Sequence, residues 1–213
     1  HTRFKCDWSS DVCSSDLDIS QFGQTRSTPE QRAQSDVIRA AGRAAIESFP
    51  KHTIAMIRGY CLGGGLNVAL LCDMRVAAED SKFGVPAAKL GIGYGFETSL
   101  LITQLVGAAM GKEMLFTGRH LNAQEALRIG LVNRVVPGAE LEDAVKSYTD
   151  AIGANAPLSV AAAKLAFDAA VRPPAERDLA AVNAAVERCM NSEDFKEGRR
   201  AFMERRKPEF RGS

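Results

Sequence analysis

The chain has 213 residues, 46% of them hydrophobic and 25% charged, with 27 Lys+Arg against 26 Asp+Glu for a net charge of +1. That length suffices for one good core, or for one domain with a helical appendage, and the composition is ordinary for a globular protein. So balanced a charge excludes an overall field drawing the protein to nucleic acid or to a membrane surface, and apolar runs such as 68–72 are far too short to span a bilayer.

The first residues, HTRFKCDWSSDVCSSDL, differ in character from the rest of the chain. They hold the only Trp and a near-repeat, WSSD then CSSD. They have no continuous apolar run of the signal-peptide kind, no strand alternation and no helical stripe. Residues 1–15 are therefore expected to be a disordered or artefactual leader on a chain truncated at its start. From Ser27 to Phe49 the pattern is helical: Thr28 can cap, Pro29 suits the first turn, and Val37, Ile38, Ala41, Ala45 and Ile46 form an apolar stripe. Pro50 ends it. Thr53–Ile57 is a short β-branched run consistent with a buried strand. A glycine triplet, Gly63–Gly65, comes next and leads into a helix ending near Cys72. MRVAAED reads as a second strand. The stretch 82–96 is glycine-rich and irregular.

Two helices, 98–106 and 108–116, are divided at Gly107. Asn122 with Glu125 forms a capping-box start for a short helix that stops at Gly130. LVNRVVP is a strand ending at Pro137, after which the chain reads as helices over 140–154, 157–171, 174–190 and 192–206. Strands alternating with helices, then a run of helices, indicate an α/β core over 16–138 with a helical C-terminal region over 139–213. The histidines (His1, His52, His120) are scattered away from cysteine and carboxylate clusters, so no metal site is expected. Five cysteines, an odd number, argue against a disulfide framework. Cys61 and Cys72 read as buried small hydrophobes, in keeping with a reducing, cytoplasmic compartment.

The chemistry concentrates in CLGGGLNVALLCD, Cys61 to Asp73. A strand running through glycines into a helix presents bare N–H groups at the positive end of the helix dipole, where a phosphate or a developing oxyanion can approach. The phosphate versions require stricter spacing. No G-x-x-x-x-G-K-[ST] is present, and G-Y-C-L-G-G-G does not fit G-x-G-x-x-G. Two readings remain, an oxyanion site or glycines that merely permit close helix–strand packing.

IRGYCLGGGLNVALLCDMRVAAEDSKFGVPAAKLGIGYG resembles the core signature of the enoyl-CoA hydratase/isomerase, or crotonase, family. The likeness continues through LLITQLVGAAMGKEMLFTGRHLNAQEALRIGLVNRVVP to AFMERRKPEF. G-x-x-x-G-G-G with C-D, F-G-x-P and T-G-x-x-x-x-A-x-E-A-x-x-x-G-L-V, in that order, is a specific composite. The resemblance implies a crotonase-like spiral of ββα units with a C-terminal helical region. It also implies a homotrimer or dimer of trimers and an acyl-CoA thioester substrate, with coenzyme A entering only as part of that substrate and no separate cofactor.

It further implies that two backbone N–H groups hold the thioester oxygen. Gly64 supplies one; the other falls at Leu17 in DLDI, where the family usually has a smaller residue. Asp18, Ile19, Gly63, Gly65, Asn67, Pro86 and Ala87 fall at substrate-binding positions, and Arg205, in the basic C-terminal stretch, falls near the CoA nucleotide. Members that hydrate enoyl-CoA use two glutamates where this chain has Asn67 and Ala87, neither of which has a usable pKa. Two-glutamate hydration is therefore not expected. Tyr94, then Glu97, are the candidate protic groups. Tyr94, K-E-x-x-F-T over 112–117 and S-E-D-F-x-E-G over 192–198 locally resemble methylmalonyl-CoA decarboxylases. Decarboxylation of a malonyl-type thioester is thus the expected reaction. The alternatives are a hydratase or isomerase using Glu97 or Tyr94, and a silent CoA-thioester binder.

Overall fold

The computed structural model describes residues 4–5 and 28–213. Their contacts divide them into two compact units, one containing Thr53–Val145 with the preceding helix, the other Lys146–Ser213 with Pro50–His52. In the first unit two sheets alternate along the chain. A four-stranded parallel sheet holds β1 (Phe4–Lys5), β2 (Ile54–Ile57), β4 (Met74–Ala78) and β7 (Arg134–Val136), in that order. A three-stranded sheet holds β3 (Tyr60–Leu62), β5 (Lys82–Gly84) and β6 (Leu121–Asn122).

Over 54–117 the chain twice gives one strand to each sheet and then a helix. Strands β2 and β3 lead into α2 (Gly63–Leu71), whereas β4 and β5 lead through a 3-10 turn (Pro86–Leu90) into α3 (Phe96–Thr117). This is the expected ββα pattern. The strand expected over Thr53–Ile57 is present and buried throughout. The strands of the other sheet, β3, β5 and β6, are not legible in the sequence because two or three residues are too few to show a period. The stretch 82–96, expected to be irregular, in fact opens on a strand and a 3-10 turn.

Helix α1 (Pro29–Glu47) begins as the sequence requires. Thr28 accepts the Gln31 N–H while the Gln31 side chain accepts the Thr28 N–H. Its apolar stripe does not close into the core: Val37 and Ile38 are 68% and 66% exposed. The kink at Gly107 is present, at φ 79°, a left-handed conformation that interrupts α3 and that side-chain-bearing residues rarely adopt. The capping box at Asn122 and Glu125 starts α4 (Ala123–Arg128), both reciprocal bonds being formed. Phe4 and Lys5, within the expected leader, pair in parallel with Ala55 and Met56, so backbone pairing is made there without any alternating pattern.

The second unit is helical. α5 (Leu141–Gly153) crosses the boundary between the units, and α6 (Pro157–Ala170), α7 (Leu179–Met190) and α8 (Glu193–Glu204) come after it. The helix expected over 174–190 starts late. Pro174–Glu176 makes one 3-10 turn, Arg177 is extended, and Asp178 caps α7 by accepting the Ala181 N–H. Ser192 caps α8, and buried Asp194 accepts N–H groups from Arg211 and Gly212. The Arg206 and Arg200 guanidiniums, with the Glu209 N–H, hold the Glu197 carboxyl well below the usual range.

The F-G-x-P glycine has a spatial cause. A Cβ at Gly84 would meet the Arg119 carbonyl oxygen at 2.8 Å, a backbone atom that cannot move aside cheaply. Gly84→Ala is expected to lower stability by about 1–3 kcal/mol, as overpacking against fixed atoms does. Urea denaturation measures it, and an unchanged midpoint would contradict the contact.

Candidate active site

Helix α2 is apolar apart from Asn67 and has no exposed residue, with Leu66, Ala69 and Leu70 in the core. Its two ends are treated differently. At the carbonyl end, Arg75 is 4% exposed and donates to the Leu131, Ala69 and Cys72 carbonyls at 2.8, 3.3 and 2.7 Å. Burial lowers the pKa of this guanidinium, and nearby Cys72 and Asp73 act in the opposite direction. A cation there complements the negative end of the helix dipole. Asp73 accepts the Thr53 N–H at 2.6 Å and hydroxyl at 3.0 Å, while its own N–H donates to the Thr53 hydroxyl. The C-D pair of the signature thus ties the end of α2 to the start of β2, with Cys72 buried beside it.

At the amino end nothing comparable exists. The residue preceding the helix is Leu62, whose side chain has no acceptor for the first N–H groups. Gly63 lies at φ 48°, Gly64 is half-buried and Gly65 is buried. Bare N–H groups at the positive end of a dipole suit an oxyanion. Strands β3 and β5 run parallel with Leu62 opposite Gly84. Gly63–Gly65 and Val85–Pro86–Ala87 therefore leave the same edge of one sheet side by side.

Two of the expected residues are joined at this place. The Tyr94 hydroxyl donates to Asn67 Oδ1 at 3.1 Å and lies 3.4 Å from the Gly63 carbonyl oxygen. Gly63 and Asn67 are four residues apart and share one helix face, so the phenol sits over the first turn of α2. Ala87 is buried at 7% exposure in the 3-10 turn that Pro86 opens. Glu97 is not drawn into this group: its side chain is 73% exposed and pairs with Arg43 of α1 at 3.1 Å. Leu17, Asp18 and Ile19 lie outside the described residues. Arg205 belongs to the helical unit, where it ends α8 in a left-handed conformation with φ 54° and an exposed side chain.

Arg75 belongs to no motif of the sequence, although a lone arginine inside MRVAA signals a buried cation. Among the described residues, no group of three or more His, Cys, Asp and Glu is placed to hold a metal ion, and no helix is long and apolar enough to cross a membrane. Arg75→Met fills the volume but leaves buried carbonyls without their donor. The Ala69 oxygen keeps the Cys72 N–H, so two carbonyls are abandoned and a loss of about 2–6 kcal/mol is expected, at about 1–3 kcal/mol each. Chemical denaturation reads it, and a loss under half that range would mean α2 is anchored elsewhere.

Residues 9–213 match the family model described as enoyl-CoA hydratase/isomerase. The chain is 39% identical over 164 residues to the short-chain-enoyl-CoA hydratase of Clostridium acetobutylicum, covering 77% of this chain and 63% of that protein. It thus spans less than two thirds of that relative's length. It is 39% identical over 176 residues to the carnitinyl-CoA dehydratase of Proteus mirabilis, covering 81% and 67%. Among solved structures, enoyl-CoA hydratase from Bacillus anthracis superposes with a TM-score of 0.84 at 31% identity, covering 92% of this chain and 76% of that one. An enoyl-CoA hydratase/isomerase family protein from Hyphomonas neptunium gives 0.83 at 34% identity, covering 92% and 75%. The fold is the crotonase fold, and the chain belongs to the enoyl-CoA hydratase/isomerase family.

Proposed function

We propose that the protein acts on acyl-CoA thioesters by stabilising an enolate on backbone N–H groups at the start of α2, with Gly64 as donor and a second donor from the Leu17 segment. The enolate forms by loss of CO₂ from a malonyl-type thioester. The observation that carries this reading is the identity of the two positions where hydrating relatives are expected to have glutamates. One is Asn67, whose carbonyl oxygen is already engaged by Tyr94, and the other is the methyl of Ala87. Neither can exchange a proton with water.

Decarboxylation needs no base. The bond between the α-carbon and the carboxylate breaks, its electron pair moves toward the thioester oxygen, and the N–H donors hold that charge as CO₂ departs. The α-carbon then takes up a proton, for which the Tyr94 hydroxyl is the candidate donor. No separate cofactor is involved; coenzyme A enters as part of the substrate. Arg205 would bind the CoA nucleotide, and the protein would work as a homotrimer or dimer of trimers in the cytoplasm. Hydration is the second reading, favoured by the names of the relatives. It would require Glu97 to leave Arg43 and act as the acid.

One enzyme batch assayed with two substrates separates these readings. CO₂ release from malonyl- or methylmalonyl-CoA is expected to exceed the loss of enoyl absorbance from crotonyl-CoA. Tyr94→Phe is expected to slow the first reaction while leaving thioester binding largely intact. Gly64→Pro, tolerated in a first helical turn, removes the N–H donor and is expected to cost about 10²–10³-fold in rate. Robust crotonyl-CoA hydration would overturn the decarboxylase reading, and binding without either reaction would leave a thioester-binding protein.

A further inference from the structure

Asn67 stands where the family resemblance places a glutamate, and its amide is held in one orientation. A phenol has a single hydrogen, and the nearer acceptor for that of Tyr94 is Asn67 Oδ1 at 3.1 Å rather than the Gly63 carbonyl at 3.4 Å. With the carbonyl side of the amide turned to Tyr94, the Nδ2 group faces away from it. Among the described residues Nδ2 meets no acceptor within hydrogen-bond distance, and Asn67 is half-buried. A half-buried NH₂ with two hydrogens to donate favours an acceptor supplied from outside the chain.

Further donors stand near it. The N–H groups opening α2 are donors at the positive end of a dipole, and Ala87 adds only a methyl. Such donors suit an anion, and the Ala87 methyl gives a water needing a base nothing to exchange with. A carboxylate at position 67 would repel an anionic substituent at that place; the amide removes this repulsion and adds a hydrogen bond.

We propose that Asn67 is the specificity-determining residue of this site, and that its Nδ2 selects acyl-CoA thioesters bearing an anionic group on the α-carbon over those with an apolar acyl chain. This rests on the proposed thioester site but not on its turnover. The discriminating probe is therefore one that cannot react.

The experiment compares equilibrium binding, by calorimetry, of a sulfonate analogue of malonyl-CoA, which cannot lose CO₂, with that of butyryl-CoA. The full chain, Asn67→Asp and Asn67→Ala are measured. Asp keeps the shape and replaces a donor with a negative charge, whereas Ala, a good helix former, removes the amide without adding charge. The full chain is expected to prefer the sulfonate at least tenfold, Asn67→Ala to lose that preference, and Asn67→Asp to reverse it. Equal preference in all three, or no preference in the full chain, would overturn the inference. Failure of either thioester to bind at all would overturn both the inference and the thioester site. A preserved preference without CO₂ release from malonyl-CoA itself would leave the inference standing and remove only the decarboxylase reading.

Discussion

A buried cation fixes one end of the helix whose other end has no side-chain cap. Arg75 collects the carbonyl oxygens of Ala69 and Cys72 at the end of α2, and that of Leu131 beyond, without a carboxylate partner in that set of bonds. Asp73 pins the same corner to Thr53. The N–H of Arg75 donates to the Asn133 side chain, and the Asn133 N–H returns to the Arg75 carbonyl, which joins β4 to the approach of β7. The helix cannot slide or rotate without breaking charge-assisted bonds in an apolar interior, where leaving a donor or acceptor unmet is costly. The three glycines at its start inherit that rigidity.

The two-sheet arrangement supplies the rest of the site. Because β3 and β5 are parallel and in register at Leu62 and Gly84, the segments after them emerge at one edge. Gly84 lets the Arg119 carbonyl approach where a side chain would hold it off. Arg119 is in turn held by Glu113 of α3 and Glu125 of α4, the latter also closing the capping box on Asn122. The signature motifs of the family thus serve packing at one end of α2 and leave its other end open. At that open end this chain places amide, phenol and backbone groups.

Much of this is legible in the sequence wherever a local rule acts alone. Thr28 and Pro29, Asn122 and Glu125, and Gly107 announce a cap, a capping box and a break that depend on a few neighbouring residues. The triplet's place at a helix start comes from the same logic. The features that are not legible depend on partners distant in sequence. The bond between Tyr94 and Asn67 spans 27 positions, and the turning of Glu97 toward Arg43 joins two helices with several strands between them. The short strands of the second sheet exist because neighbouring backbone is available, not because their residues alternate. Val37 and Ile38 form a stripe by spacing, yet spacing does not say what the stripe meets.

The proposed chemistry requires the thioester oxygen to sit at the start of α2. A crystal structure of the protein with a bound, unreactive acyl-CoA analogue tests this directly. The carbonyl oxygen is expected within about 3 Å of the Gly64 nitrogen, the distance of a hydrogen bond to an oxyanion-hole donor, with the acyl group against Asn67 and Tyr94. A carbonyl oxygen bound away from Gly63–Gly65, with those glycines only packing against a strand, would contradict it.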